Sequence, residues 1–294
     1  MAVLTARHWP WNDRQGRFSA LRALAFGLVL LPGLWLAWQG WTQQLGAKPW
    51  TQAVHDSGSW SLRILLATLA VTPLRRIFGW NRLIGIRRML GLSVLAYALL
   101  HLVLYCIDLA FDWGLILSEL VKRFYLVVGL VALAGLVALG ATSTDAMIRR
   151  LGAARWQRLH KLIYAIALLG LFHAALQSKI DVTQPVLLAG FFALLMAYRA
   201  LLARRPDPGA AALAATALAI GLATALLEAA WYALATGAPA LAVLQANADP
   251  LVYGDWSALR PAPIVALVGL GVALGKRLSR ALGQPVSPSR PARR

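Results

Sequence analysis

ARWQRLHKLIYAIALLGLFHAALQ, residues 154–177, opens with Arg155, Arg158, His160 and Lys161 and then runs on as an apolar stretch that carries a second histidine, His173. A basic cluster followed by a membrane thickness of apolar residues reads as the cytoplasmic boundary and body of a transmembrane helix. Polar groups are costly in hydrocarbon, so two histidines in one such helix call for a physical reason.

Working outward, composition sets the class. Of 294 residues, 60% are hydrophobic and only 14% charged, which excludes an ordinary soluble domain. The net charge of +18 is not gathered on a polar module; it lies in short clusters between apolar runs, which argues for membrane topology and against nucleic-acid binding. The single cysteine, Cys106, excludes an intramolecular disulfide or a cysteine-based metal cluster and reads as a packing residue. Eight apolar segments follow one another, at about 20–41, 60–74, 89–111, 124–142, 159–177, 185–203, 210–236 and 261–275. The second and eighth are short, and Pro261 and Pro263 make the eighth the weakest span. The expected fold is an all-α polytopic transmembrane helix bundle.

Lys and Arg are retained in the cytoplasm during insertion. Placing the N-terminus inside puts 23 of the 29 Lys and Arg on one face: Arg7 to Arg22, the arginines of 75–88, the basic residues of 149–161, Arg199 to Arg205 and the tail from Lys276. The opposite face keeps Lys48, Arg63, Lys122, Arg123, Lys179 and Arg260, beside the acidic Asp56, Asp112, Glu119, Asp181, Asp249 and Asp255. Both termini are expected in the cytoplasm, with the first segment a permanent helix rather than a removed signal. ARRPDPG, residues 203–209, is the clear boundary. It separates a head (1–19) and six-helix core (20–203) from a linker (204–209) and an extension (210–294) with about two helices, in which Glu228 is the only charge of 210–235.

Among the five histidines, His101, His160 and His173 fall in or at helices. His101 lies about twelve residues past the inner end of its helix and His173 thirteen past His160, so at ~1.5 Å per residue both sit roughly 18–20 Å from the cytoplasmic boundary. The third and fifth segments run the same way, so the two imidazoles can approach one plane from opposite sides, the axial arrangement that a b-type heme requires. His160 lies lower and is rotated roughly 140° from His173, which excludes it from that heme. A second heme would need another ligand near GIRRML, where Arg87 and Arg88 stand instead. Arginine suits heme propionates or a flavin phosphate; positive-inside anchoring explains the same residues equally well.

Several stretches resemble the MsrQ (YedZ) family, heme-binding membrane subunits of the bacterial periplasmic methionine sulfoxide reductase system within the ferric-reductase-like transmembrane group. They are LLPGLWLAW (30–38), LGAKP (45–49), LLATLAVTPLRR (65–76), IRRMLGL (86–92), LLHLVLY (99–105), TSTDAM (142–147) and RWQRLHKLIYAIALLGLFH (155–173), together spanning about 20–203. The resemblance implies six core helices, heme b, and electron delivery to a periplasmic molybdenum-containing partner from a cytosolic flavin reductase or the quinone pool. By position, His101 and His173 match the family's heme ligands and His160 its third membrane histidine, while His55 in HDSGSW matches a family histidine without an assigned role. The resemblance also suggests FMN near Arg87, Arg88, Arg155 and Arg158. Relatives with two hemes carry two histidines on the third helix, and this chain carries His101 alone, which leaves a second heme open.

No strand-helix alternation is present to hold a nucleotide domain, and G-L-G-V-A-L-G (269–275) lies inside an apolar segment, where close helix packing is its reading. The leading expectation is an inner-membrane electron conduit to a periplasmic reductase of oxidised methionine. A stand-alone ferric or quinone-linked reductase is the alternative, and a transporter or structural membrane protein is the alternative of another class. Most tryptophans lie near predicted helix ends, as an interfacial belt does.

Overall fold

A computed structural model describes residues 9–13, 15–178 and 181–282. The basic head through His8, Arg14, Lys179 and the tail beyond 282 lie outside the described residues. Among the described residues the chain is all-α, with one isolated bridge between Asn12 and Phe18. The helices are α1 (Ala20–Trp41), α2 (Pro49–Phe78), α3 (Arg87–Asp108), α4 (Trp113–Lys122), α5 (Phe124–Ala141), α6 (Asp145–Leu151), α7 (Ala153–His160), α8 (Ile163–Gln177), α9 (Thr183–Arg204), α10 (Ala210–Thr236), α11 (Ala240–Tyr253) and α12 (Pro261–Ala281).

All eight predicted segments are helical, and among the described residues seven stretches are long and apolar enough to cross a membrane. The eighth, α2, has the length but not the apolarity, because Gln52, His55, Asp56, Ser57, Ser59 and Ser61 occupy its first half. For the same reason its start at Pro49 lies eleven residues before the predicted one: helix formation continues where apolarity does not. Pro261 does not weaken α12. It sits at the first helical position, where its missing N–H would have no partner in any case, and the helix runs on to Ala281. The stretch 237–260, left between the seventh and eighth apolar segments and so read as loop, contains α11, bounded by left-handed Gly237 and Gly254 (both φ 72°).

The chain divides into two compact units, Met1–Thr68 with Arg82–His173, and Leu69–Asn81 with Ala174–Arg294. In the first, α3 packs on α1 and α5. Leu24, Leu28, Leu31, Trp35 and Trp38 of α1 are exposed, as a lipid-facing stripe requires. Cys106 is buried in α3, the packing role expected of it.

In the second unit α9, α10 and α12 close around Leu194, Tyr198, Leu202, Leu213, Ala217 and Val265, joined by Ile77. Gly269 makes this approach close: a Cβ there would come within 2.5 Å of the Ala217 Cβ. Small residues at a helix crossing let backbones meet, so the glycine run is a packing device at Gly269 and at Gly275, which lies against Phe78. The fully buried Lys276 donates to the Ile77 carbonyl (2.7 Å) and pairs with Asp207 (3.0 Å), satisfying a helix-end carbonyl and its own charge together. Its apolar sequence context makes Glu228 read as a solitary carboxyl, and the structure corrects this. Arg260 and Asn247 hold its two oxygens, and both come from the region read as loop.

Candidate functional site

Histidines 101 and 173 come together in the first unit, with ring centres 6.2 Å apart and ring planes at 88°. An imidazole nitrogen lies ~1.1 Å from its ring centre and binds a metal at about 2 Å, so two rings sharing one metal stand about 6 Å apart. The observed separation matches that sum.

Each ring is oriented by a neighbouring helix. His101 Nδ1 lies 2.8 Å from the Val54 carbonyl of α2, and His173 Nδ1 lies 2.7 Å from the Tyr125 carbonyl of α5. A carbonyl only accepts, so both Nδ1 atoms donate, and Nε2 is left as the lone-pair nitrogen of each neutral ring. The Tyr125 ring lies 5.9 Å from that of His173. One turn beyond His101 on α3, the Tyr105 hydroxyl is buried with no hydrogen-bond partner, an acceptor or donor available to a bound group. Among the described residues no cluster of three or more His, Cys, Asp or Glu side chains could hold a bare ion. Two imidazoles alone would leave a metal with open positions, so a bound group would have to supply its remaining ligands.

His160 is not brought to this pair. Its ring stacks on Trp156 (centres 4.0 Å apart) and its Nε2 lies 3.2 Å from the Thr142 hydroxyl, while the Trp156 indole donates to the Thr142 carbonyl at 2.8 Å. Two motifs quoted from the sequence, TSTDAM and RWQRLH, thus meet at the end of α5. Thr144 caps α6 by accepting from the Met147 amide, and Gly152 (φ 74°) turns the chain into α7. Of the four candidate arginines, Arg88 pairs with Asp145, Arg87 is half-buried, and Arg155 and Arg158 are exposed on α7.

Sequence reasoning missed the partners of the imidazoles, Val54 and Tyr125, because they act through backbone. The available signal was a glycine four residues after each, Gly58 in HDSGSW and Gly129 in YLVVG.

The helical membrane bundle with its imidazole pair is that of a ferric reductase like transmembrane component, the family whose model matches residues 57–171. The chain is similar to a protein-methionine-sulfoxide reductase heme-binding subunit MsrQ of Rhodospirillum rubrum, 43% identical over 189 residues, 64% of this chain and 88% of that one. It is similar also to MsrQ of Caulobacter vibrioides, 40% identical over 198 residues, 65% of this chain and 94% of that one. A third relative, MsrQ of Azospira oryzae, is 40% identical over 185 residues, 62% of this chain and 79% of its own. The chain belongs to the MsrQ family. No solved structure matches it.

Proposed function

We propose that this chain is the heme b membrane subunit of a methionine sulfoxide reductase system, with His101 and His173 as the axial ligands of one heme. The carrying observation is the imidazole pair, 6.2 Å apart with both tautomers set by backbone carbonyls. The donor set fits the group: two imidazoles whose ring centres stand 6.2 Å apart, and a buried, unpartnered Tyr105 hydroxyl one turn further along α3. Such a heme supplies a one-electron relay. The protein's part would be to hold the iron through the two imidazoles and to keep their rings fixed by the backbone carbonyls, so that little would reorganise on electron transfer. The relatives, heme-binding subunits of protein-methionine-sulfoxide reductase, support the same reading.

In this reading the chain sits in the inner membrane with both termini cytoplasmic. It takes electrons from a cytosolic flavin reductase or the quinone pool and delivers them to a periplasmic molybdenum-containing reductase, where the sulfoxide chemistry occurs. Residues 20–203 are the heme-binding core and 210–294 an extension. His160 belongs to the cytoplasmic boundary, where FMN would lie near Arg87, Arg155 and Arg158, with Arg88 shared with Asp145. Loss of flavin on replacing these arginines supports that site, and unchanged flavin content removes it.

Reduced-minus-oxidised spectra of membranes test the heme assignment. His101→Ala and His173→Ala are expected to lose the cytochrome bands and His160→Ala to keep them in part; equal bands in all three variants would overturn it. The ferric-reductase-like match supports a second reading, a stand-alone reductase. Reduction of iron chelates by the purified protein without a partner would favour it.

A further inference from the structure

The two imidazoles are seated in the same way, by glycines that nothing so far assigns a role. A Cβ built on Gly58 would lie 2.9 Å from His101 Nδ1, and one on Gly129 would lie 2.8 Å from His173 Nδ1. In each case the atom that would be struck is the one that donates to the backbone, and the carbonyl it reaches belongs to the residue four positions earlier, Val54 for Gly58 and Tyr125 for Gly129. The spacing has a reason. Every Cα–Cβ bond in a helix tilts toward the N-terminus, so the side chain at i+4 covers the carbonyl of residue i. Deleting that side chain uncovers the carbonyl while it keeps its helix bond; at Val54 the Ser57 hydroxyl also donates to the same oxygen, at 3.0 Å. Gly58 and Gly129 occur in helix interiors, where glycine is otherwise disfavoured relative to alanine.

We infer that Gly58 and Gly129 are paired positioning residues: each opens one carbonyl to the Nδ1–H of a facing histidine and thereby fixes the plane and tautomer of a heme ligand. This rests on His101 and His173 holding heme. An Nδ1–H donated to a carbonyl makes Nε2 more basic, which stabilises the ferric state. The perpendicular seating of the rings has its own signature, because axial imidazoles at right angles leave the two iron dπ orbitals nearly degenerate.

The experiment compares the full-length wild type, Gly58→Ala, Gly129→Ala and the control Gly135→Ala in detergent, reading heme per polypeptide, midpoint potential and the ferric EPR signal. Gly135 lies on α5 as well, and a Cβ there would meet the Ile166 side chain at 2.8 Å, so it reports what an added methyl does away from the histidines. The wild type is expected to give a highly anisotropic low-spin signal. Gly58→Ala and Gly129→Ala are expected to turn it rhombic and raise the potential, whereas Gly135→Ala changes neither. Heme-loaded glycine variants indistinguishable from Gly135→Ala overturn the inference and leave the ligand assignment intact. A rhombic signal in the wild type overturns it even where neither variant accumulates, and wild type without heme overturns both.

Discussion

Glu228 has no exposed surface, and its carboxylate is divided between Arg260 and Asn247. Removing Glu228 leaves the part-exposed Arg260 charged and Asn247 without its acceptor, at a cost of ~1–3 kcal/mol. Glu228→Ala is expected to lower stability by about that much in detergent unfolding, and Glu228→Gln, which keeps an acceptor for Asn247, by less. At the entrance to α9, hydrogen bonds from the Thr183 side chain and backbone hold the Asp181 carboxyl below its ordinary range. A lowered folded pKa contributes stability above the unfolded pKa and loses it as pH falls through the folded value. Asp181→Asn is therefore expected to melt below the wild type near neutral pH, with the gap closing on acidification through the carboxylate range. The histidine pairing was legible because helix rise and direction suffice to set two residues at one depth. The Glu228–Arg260 pair was not, since its partner lies 32 residues away in what reads as loop, and a backbone carbonyl such as that of Val54 leaves no mark of its own.

At the scale of elements, Pro32 lies inside α1, and the Tyr97 hydroxyl of α3 inserts at the turn around it. It donates to the Val29 carbonyl and accepts from the Gly33 amide, both at 2.7 Å, the two groups that an undisturbed helix pairs with each other. Gly33 leaves room: a Cβ there would come within 3.1 Å of that hydroxyl. The Pro-Gly of LLPGLWLAW thus has a mechanical meaning, a joint between α1 and α3. Tyr97→Phe strands both backbone groups in an apolar setting and is expected to cost ~1–3 kcal/mol, read as a lower melting temperature, with the heme spectrum unmoved. Segment positions were legible from apolarity alone. The start of α2 and all of α11 were not, because polar residues hide a helix from a reading that weighs only hydrocarbon preference.

For the molecule as a whole, the imidazole pair, its carbonyl partners and its glycines all fall in the first compact unit, while α9 buries Leu194, Tyr198 and Leu202 among α10 and α12 in the second. A chain ending at Arg205 is expected to melt well below the full-length protein while keeping the band positions of its cytochrome spectrum. Bands that shift on truncation would mean that the extension acts on the heme site proposed at the imidazole pair. A different consequence comes from α2, the long helix too polar to be counted among the apolar spans. Membrane insertion machinery sorts emerging segments by how readily each partitions into oil, and this one makes the weakest case. Its insertion is therefore expected to depend on a neighbouring helix, and a topology reporter fused after α2, with and without α3 following, checks this.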